Sequence, residues 1–180
     1  MRTHVDGWAV GRIAAVLAMM VLPAVSAVAS SQHEIASAFV VSKSQNRNQV
    51  HYAVRVDDTC RPVTAAPVHP YWQMLEKGQG VTEPLLDREQ RAYGIERQQV
   101  QGASIHVVLH ALPSRPVEIE TRRGPDGSCL SAAFTTIAGV RAHLFNVHLQ
   151  VNWLNVGVDY ILLTGWRDDG SVVRERVQPS

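Results

Sequence analysis

Histidine is the residue type that comes closest to offering chemistry in this chain. There are eight histidines among 180 residues, and imidazole serves both as a metal ligand and as a general base. His106 and His110 have the i, i+4 spacing that brings two rings to one zinc ion on a helix. Their neighbours Ile105, Val107 and Leu109 alternate as in a strand, and four strand residues at ~3.3 Å each hold the two rings about 13 Å apart. One zinc keeps its nitrogens at about 2.0–2.1 Å, so the pair cannot share an ion. His143 and His148 are expected on opposite faces of their strand, and His33-Glu34 lacks the second histidine of a zincin motif. No metal is expected. Nucleophilic and cofactor chemistry are equally unsupported. No serine occupies a G-x-S-x-G elbow, and Gly78-Gln79-Gly80 lacks the third glycine and the βαβ unit of a dinucleotide fingerprint. Glu118 and Glu120 share a strand face like a paired-carboxylate site, but Arg122 shares it too, which makes a solvated charged face. No catalytic residue and no cofactor is therefore assigned.

One constellation survives. Val68 to Ile95 concentrates His69, Tyr71, Trp72, Arg88, Glu89, Arg91 and Tyr93 in one short stretch. Aromatics beside arginines suit a pocket for a carboxylate, a phosphate or a sugar, so Trp72, Arg88, Glu89, Arg91 and Tyr93 are the expected ligand-binding residues. The plainer reading places Trp72 and Tyr93 in the core and leaves the arginines solvated. Glu89 separates the two, because it stands between Leu85-Leu86 and Ala92-Tyr93 on one helical face. A face that docks there must pair the carboxylate or give it a polar cavity. The leading function is a module that binds a small or extended ligand, or a cell-envelope partner. The alternative is a hydrolase or other enzyme built from Arg88, Glu89, Tyr93 and a histidine such as His69.

The elements that must position these residues are mostly strands. Val50, Tyr52, Val54 and Val56 alternate with His51, Ala53 and Arg55, the period-2 pattern of a half-buried strand. Phe39–Ser42 precedes it across a turn-rich segment, and the proline-marked run Arg61 to Pro70 reads as irregular. Tyr71–Leu75 is a further strand. The helix is expected to start near Thr82 as N-cap, with Pro84 in its first turn, and to end at Gly94 as C′ residue. From Ser104 onward alternation repeats, with turns at Ala138-Gly139 and Arg167-Asp168-Asp169-Gly170. The pattern predicts a mostly β fold: an antiparallel β-sandwich or open barrel of about seven or eight strands with one short helix.

The N-terminus carries Arg2 and Arg12, then an uncharged run from Ile13 through Ala29 that ends in small residues. This is the grammar of a secretory signal peptide, cleaved after Ala29. The 17 uncharged residues, broken by Pro23, fall short of the ~20 that a spanning helix needs. No stable membrane anchor is expected after cleavage. Residues 30–180 then form a single domain, periplasmic or secreted. Removal of Arg2, Arg12 and Asp6 takes 17 basic and 16 acidic residues to 15 of each. A neutral domain is not expected to bind nucleic acid, which draws on a basic excess. Cys60 and Cys129 are expected to form a disulfide in an oxidising compartment.

Phe39-Val40-Val41-Ser42-Lys43-Ser44-Gln45-Asn46-Arg47-Asn48, the Tyr71-Trp72 pair, Ala92-Tyr93-Gly94, and Val158-Asp159-Tyr160-Ile161 with Gly165 resemble a bacterial domain-of-unknown-function family, number 4833. The resemblance spans roughly Phe39 to Val177. It implies a bacterial, exported, single-domain protein, and it implies no activity. The helix before Ala92 departs from the family pattern, so no role is carried across there.

Overall fold

Alternation in the chain becomes alternation in burial. Along Asn46–Val56, the residues Val50, Tyr52, Val54 and Val56 are fully buried while Arg55 is exposed. The structure, a computed structural model, describes residues 32–35, 37–154 and 157–179. The expected signal and its cleavage point after Ala29 lie outside these residues. The described elements run in the order β1 (His33–Ile35), β2 (Val40–Lys43), β3 (Asn46–Val56), β4 (Val68–Gln73), β5 (Thr82–Pro84), α1 (Asp87–Tyr93), β6 (Ile95–Gln101), β7 (Ser104–Leu109), β8 (Leu112–Arg123), β9 (Cys129–Ile137), β10 (Val140–Val151), β11 (Val158–Trp166) and β12 (Val172–Val177).

All twelve strands belong to one open sheet, ordered β5-β4-β3-β2-β10-β9-β8-β7-β6, with β11 and β12 continuing from β10 and β1 pairing with β3. The sheet forks at β10. Val140–Leu144 pair with β9, Asn146–Leu149 pair in parallel with β2, and β11 runs along the opposite edge. A bulge between Leu144 and Asn146 marks the change of partner, as bulges bend a strand and raise its twist. The two arms share one core, to which Tyr52 and Trp72 come from one arm and Ile105 and Ile119 from the other. Gln98 of β6 ties the arms again: its side chain accepts from Val68 N at 3.0 Å and donates to Val68 O at 3.1 Å. A third tie is the disulfide between Cys60 and Cys129, whose Cα atoms are 5.3 Å apart.

Several expectations change. Seven or eight strands become twelve because short or polar pieces carry little pattern. β5 is three residues long and ends in Pro84, which a strand tolerates only at an edge. β6 hides its alternation because a bulge between Ile95 and Arg97 shifts the inward face. The segment Arg61 to Pro70 is not irregular throughout, since β4 already begins at Val68. The same bulge that forks the sheet overturns the placement of His143 and His148 on opposite faces. Ala142, Leu144, Val147 and Leu149 are buried, so both histidines lie on the other, half-exposed face.

The helix is shorter than expected. Thr82–Pro84 pair with Tyr71–Gln73 as β5, Leu85 turns into the core, and Leu86 rather than Thr82 is the N-cap of a seven-residue helix. Gly94 does end it, but with φ at −71° instead of the left-handed conformation. Glycine is required there by contact, because a Cβ would lie 2.2 Å from Gln90 O. In the chain, α1 joins two edge strands of the sheet, β5 and β6.

Candidate functional site

The inner face of β3 changes character along its length. Val56, Val54, Tyr52 and Val50 face the core, and the same face continues through Asn48, which is 7% exposed, to Asn46. Trp72 pairs with Val50 on one side and with Glu83 on the other. Lys43 pairs with Asn46 across a register shift in which β3 carries the extra residues. The N-terminal end of α1 covers this end of the sheet, and the result is a cleft of about 310 Å³. Lys43, Asn46, Asn48, Trp72, Glu83 and Glu89 supply its polar groups; Met74, Pro84 and Leu86 complete the lining.

Glu89 holds the helix to the sheet. Trp72 Nε1 donates to Glu89 Oε2 at 3.0 Å, and Leu86 N donates to the same oxygen at 2.8 Å. The second bond satisfies one of the amides that a helix start leaves free. It also leaves Oε1 of Glu89 without a hydrogen bond among the described residues. Lys43 Nζ stands 5.0 Å from the centre of the Trp72 ring, a cation–π contact, and has no ion pair among the described residues. Glu83, by contrast, is paired with Lys77 at 2.5 Å. Both asparagine carbonyls are engaged within the protein: Asn46 Oδ1 accepts from Asn48 N, and Asn48 Oδ1 accepts from Glu76 N. Their amide NH₂ groups are the donors that remain.

Of the residues expected to bind ligand, Trp72 and Glu89 line the cleft together. Tyr93 backs its wall, packing edge-on to Trp72 with ring centres 5.2 Å apart. The phenol is pushed above its ordinary value by burial, with the Glu89 carboxylate adding to the effect. Its carbonyl accepts from the buried Tyr52 hydroxyl at 2.6 Å. Arg88 is exposed and does not line the cleft, whose cation is Lys43. Arg91, also exposed, stands at a second cleft. His69 and Tyr71 are on the opposite face of β4 from Trp72, and His69 pairs with Glu34 at 3.1 Å. The structure therefore does not bring His69 to Glu89. Glu118 and Glu120 also find a different cation from the expected Arg122, because Arg141 of β10 bonds both.

Lys43, Asn46, Asn48, Met74 and Glu83 are absent from the expected set. The signal for the asparagines was present: the parity of Val50, Tyr52 and Val54 extends backwards to Asn48 and Asn46. Lys43 follows only from hairpin register, which its own neighbourhood does not encode.

Among the described residues no cluster of histidine, cysteine and carboxylate side chains could hold a metal ion. The model of a protein family described as a domain of unknown function, DUF4833, matches residues 39–176, more than half of the chain. No curated protein and no solved structure matches it.

Proposed function

Because the chain belongs to the DUF4833 family, whose description names no activity, we propose from the site alone that it is an exported domain that binds a small polyhydroxylated ligand in the cleft between Trp72 and Glu89. One observation carries the reading: a strand face that is otherwise core turns to asparagine just where Lys43, Trp72 and Glu89 converge. Buried polar groups are costly unless they are used. The cleft offers donors on Lys43, Asn46 and Asn48, acceptors on Glu89 and Glu83, and apolar surface on Met74 and Leu86. Hydroxyl groups both donate and accept, so a mono- or disaccharide satisfies such a mixed set better than a simple ion does. Export rests on the leader that ends at Ala29 and agrees with a disulfide, which persists in oxidising compartments.

Two measurements test the proposal. For the ligand, thermal unfolding is followed with a panel of mono- and disaccharides that includes N-acetylated amino sugars. At about 10 mM, a sugar with a dissociation constant near 1 mM stabilises by about 1.4 kcal/mol, which raises Tm by roughly 3–6 °C. Lys43→Met and Glu89→Gln should each reduce that shift while leaving the unliganded Tm within a few degrees. A panel that leaves wild-type Tm unchanged, or a shift retained in both variants, overturns the reading. For export, intact mass from a bacterial periplasmic extract should show the chain beginning at Ser30, and retention of Met1 would sink the cleavage proposal.

A further inference from the structure

Beside Tyr93 a second cleft of about 200 Å³ opens, and its character is opposite to that of the first. Leu149 of β10 and Ile161 of β11, direct register partners, floor it with core side chains that are 4% and 1% exposed. Tyr93 and Val158 form walls. The groups that can carry charge at its rim are Arg91, in the last turn of α1, and His110, in the β7–β8 turn whose amide donates to Gly94 O at 3.2 Å. Among the described residues no carboxylate lines it. Arg91 makes no ion pair among the described residues.

An apolar floor with cationic donors at the rim selects by charge as well as by shape. An apolar body gains by leaving water. A carboxylate head gains a charge-assisted pair with a guanidinium, which presents its donors in a fork that fits carboxylate geometry. An ammonium head would meet like charge. At ~30 Å³ for each water-sized group, the cleft accommodates roughly seven such groups, the size of a short aliphatic or a single-ring acid. We infer that this cleft binds a small apolar monocarboxylate, with its hydrocarbon against Tyr93, Leu149, Val158 and Ile161 and its carboxylate on Arg91. The inference stands on this cleft alone and holds or fails independently of the polar cleft.

The test is an amide-resolved NMR titration of the disulfide-bonded chain with octanoate, and with octylammonium for comparison. Octanoate should shift the resonances of Ala92, Tyr93, Ala111 and Ile161, saturably. Octylammonium should bind at least about ten-fold more weakly, and Arg91→Gln should weaken octanoate by about the same factor, as loss of one charge-assisted contact implies. Ala92 is exposed on α1 and lines the cleft, so Ala92→Trp should abolish octanoate binding while keeping a folded spectrum. Arg122→Gln, which removes an exposed cation on β8 that lines neither cleft, should leave octanoate binding unchanged. The inference is overturned if octanoate shifts none of these resonances. It is equally overturned if octylammonium binds as well as octanoate, or if Arg91→Gln and Ala92→Trp remain folded and bind octanoate like the wild type.

Discussion

His51 and His143 are half-buried on the outer face of the sheet, and burial pushes both imidazoles below their ordinary value. His51 stacks on Tyr71, with ring centres 5.7 Å apart, and His143 lies between Phe134 and Trp166. A folded-state pKa below the unfolded value near 6.5 means that unfolding takes up protons once the pH falls beneath that value. The stability from these neutral rings is present above pH 6.5 and is lost on acidification. Asp57, Asp126 and Asp169 are lowered too, mainly by hydrogen bonds to their charged forms. Their contribution fades only as pH falls through their own depressed values, below the usual aspartate range. Urea midpoints are therefore expected to fall between pH 7 and pH 5, and the double variant His51→Gln, His143→Gln should show a clearly smaller fall. An identical pH profile in the double variant would show that these imidazoles are not responsible. Trp72 and Glu89 stood out at this scale because type and proximity in the chain were enough to single them out.

The hairpin between β9 and β10 turns through Ala138 and Gly139, at φ 50° and 78°. Two positive values match the tight turn whose twist suits antiparallel strands, and that turn favours Asn-Gly. Alanine in the left-handed region costs about 1–2 kcal/mol. Ala138 N also donates to Glu175 Oε2 at 2.7 Å, so this turn is held in place from β12. Ala138→Asn keeps that amide and removes part of the strain. Denaturant unfolding should show a gain of about 0.5–1 kcal/mol, and an unchanged or lower midpoint would contradict the account. The position of this turn was legible in Ala138-Gly139 itself. The start of α1 was not, since Thr82 and Pro84 suit a helix start as well as an edge strand. Pairing with Tyr71–Gln73 and the inward turn of Leu85 decide between them.

Across the whole molecule, the two arms of the forked sheet are tied by a disulfide that spans 69 positions of sequence. Cross-linking so long a loop restricts the unfolded chain and is worth about 4 kcal/mol in the loop-entropy account. Cys60→Ala together with Cys129→Ala should lower stability by about that amount, as read from guanidinium unfolding, and added reductant should then have no further effect. A loss under about 1 kcal/mol would contradict the loop-entropy account for this cross-link. The sequence by itself determined the strand-rich class, the core face of β3, the pairing of the two cysteines, and the short segment that contains Trp72 and Glu89. Each depends on residue type or on spacing of a few positions, which alternation and turn chemistry express locally. Only the tertiary structure decided that one sheet forks at β10, that Lys43 and Asn48 face Trp72 across strands, and that Arg91 belongs to a separate cleft from Glu89. These outcomes depend on register between strands far apart in the chain and on bulges that add one residue to one strand. A shift of one position reverses which face a side chain occupies, and no local pattern records it.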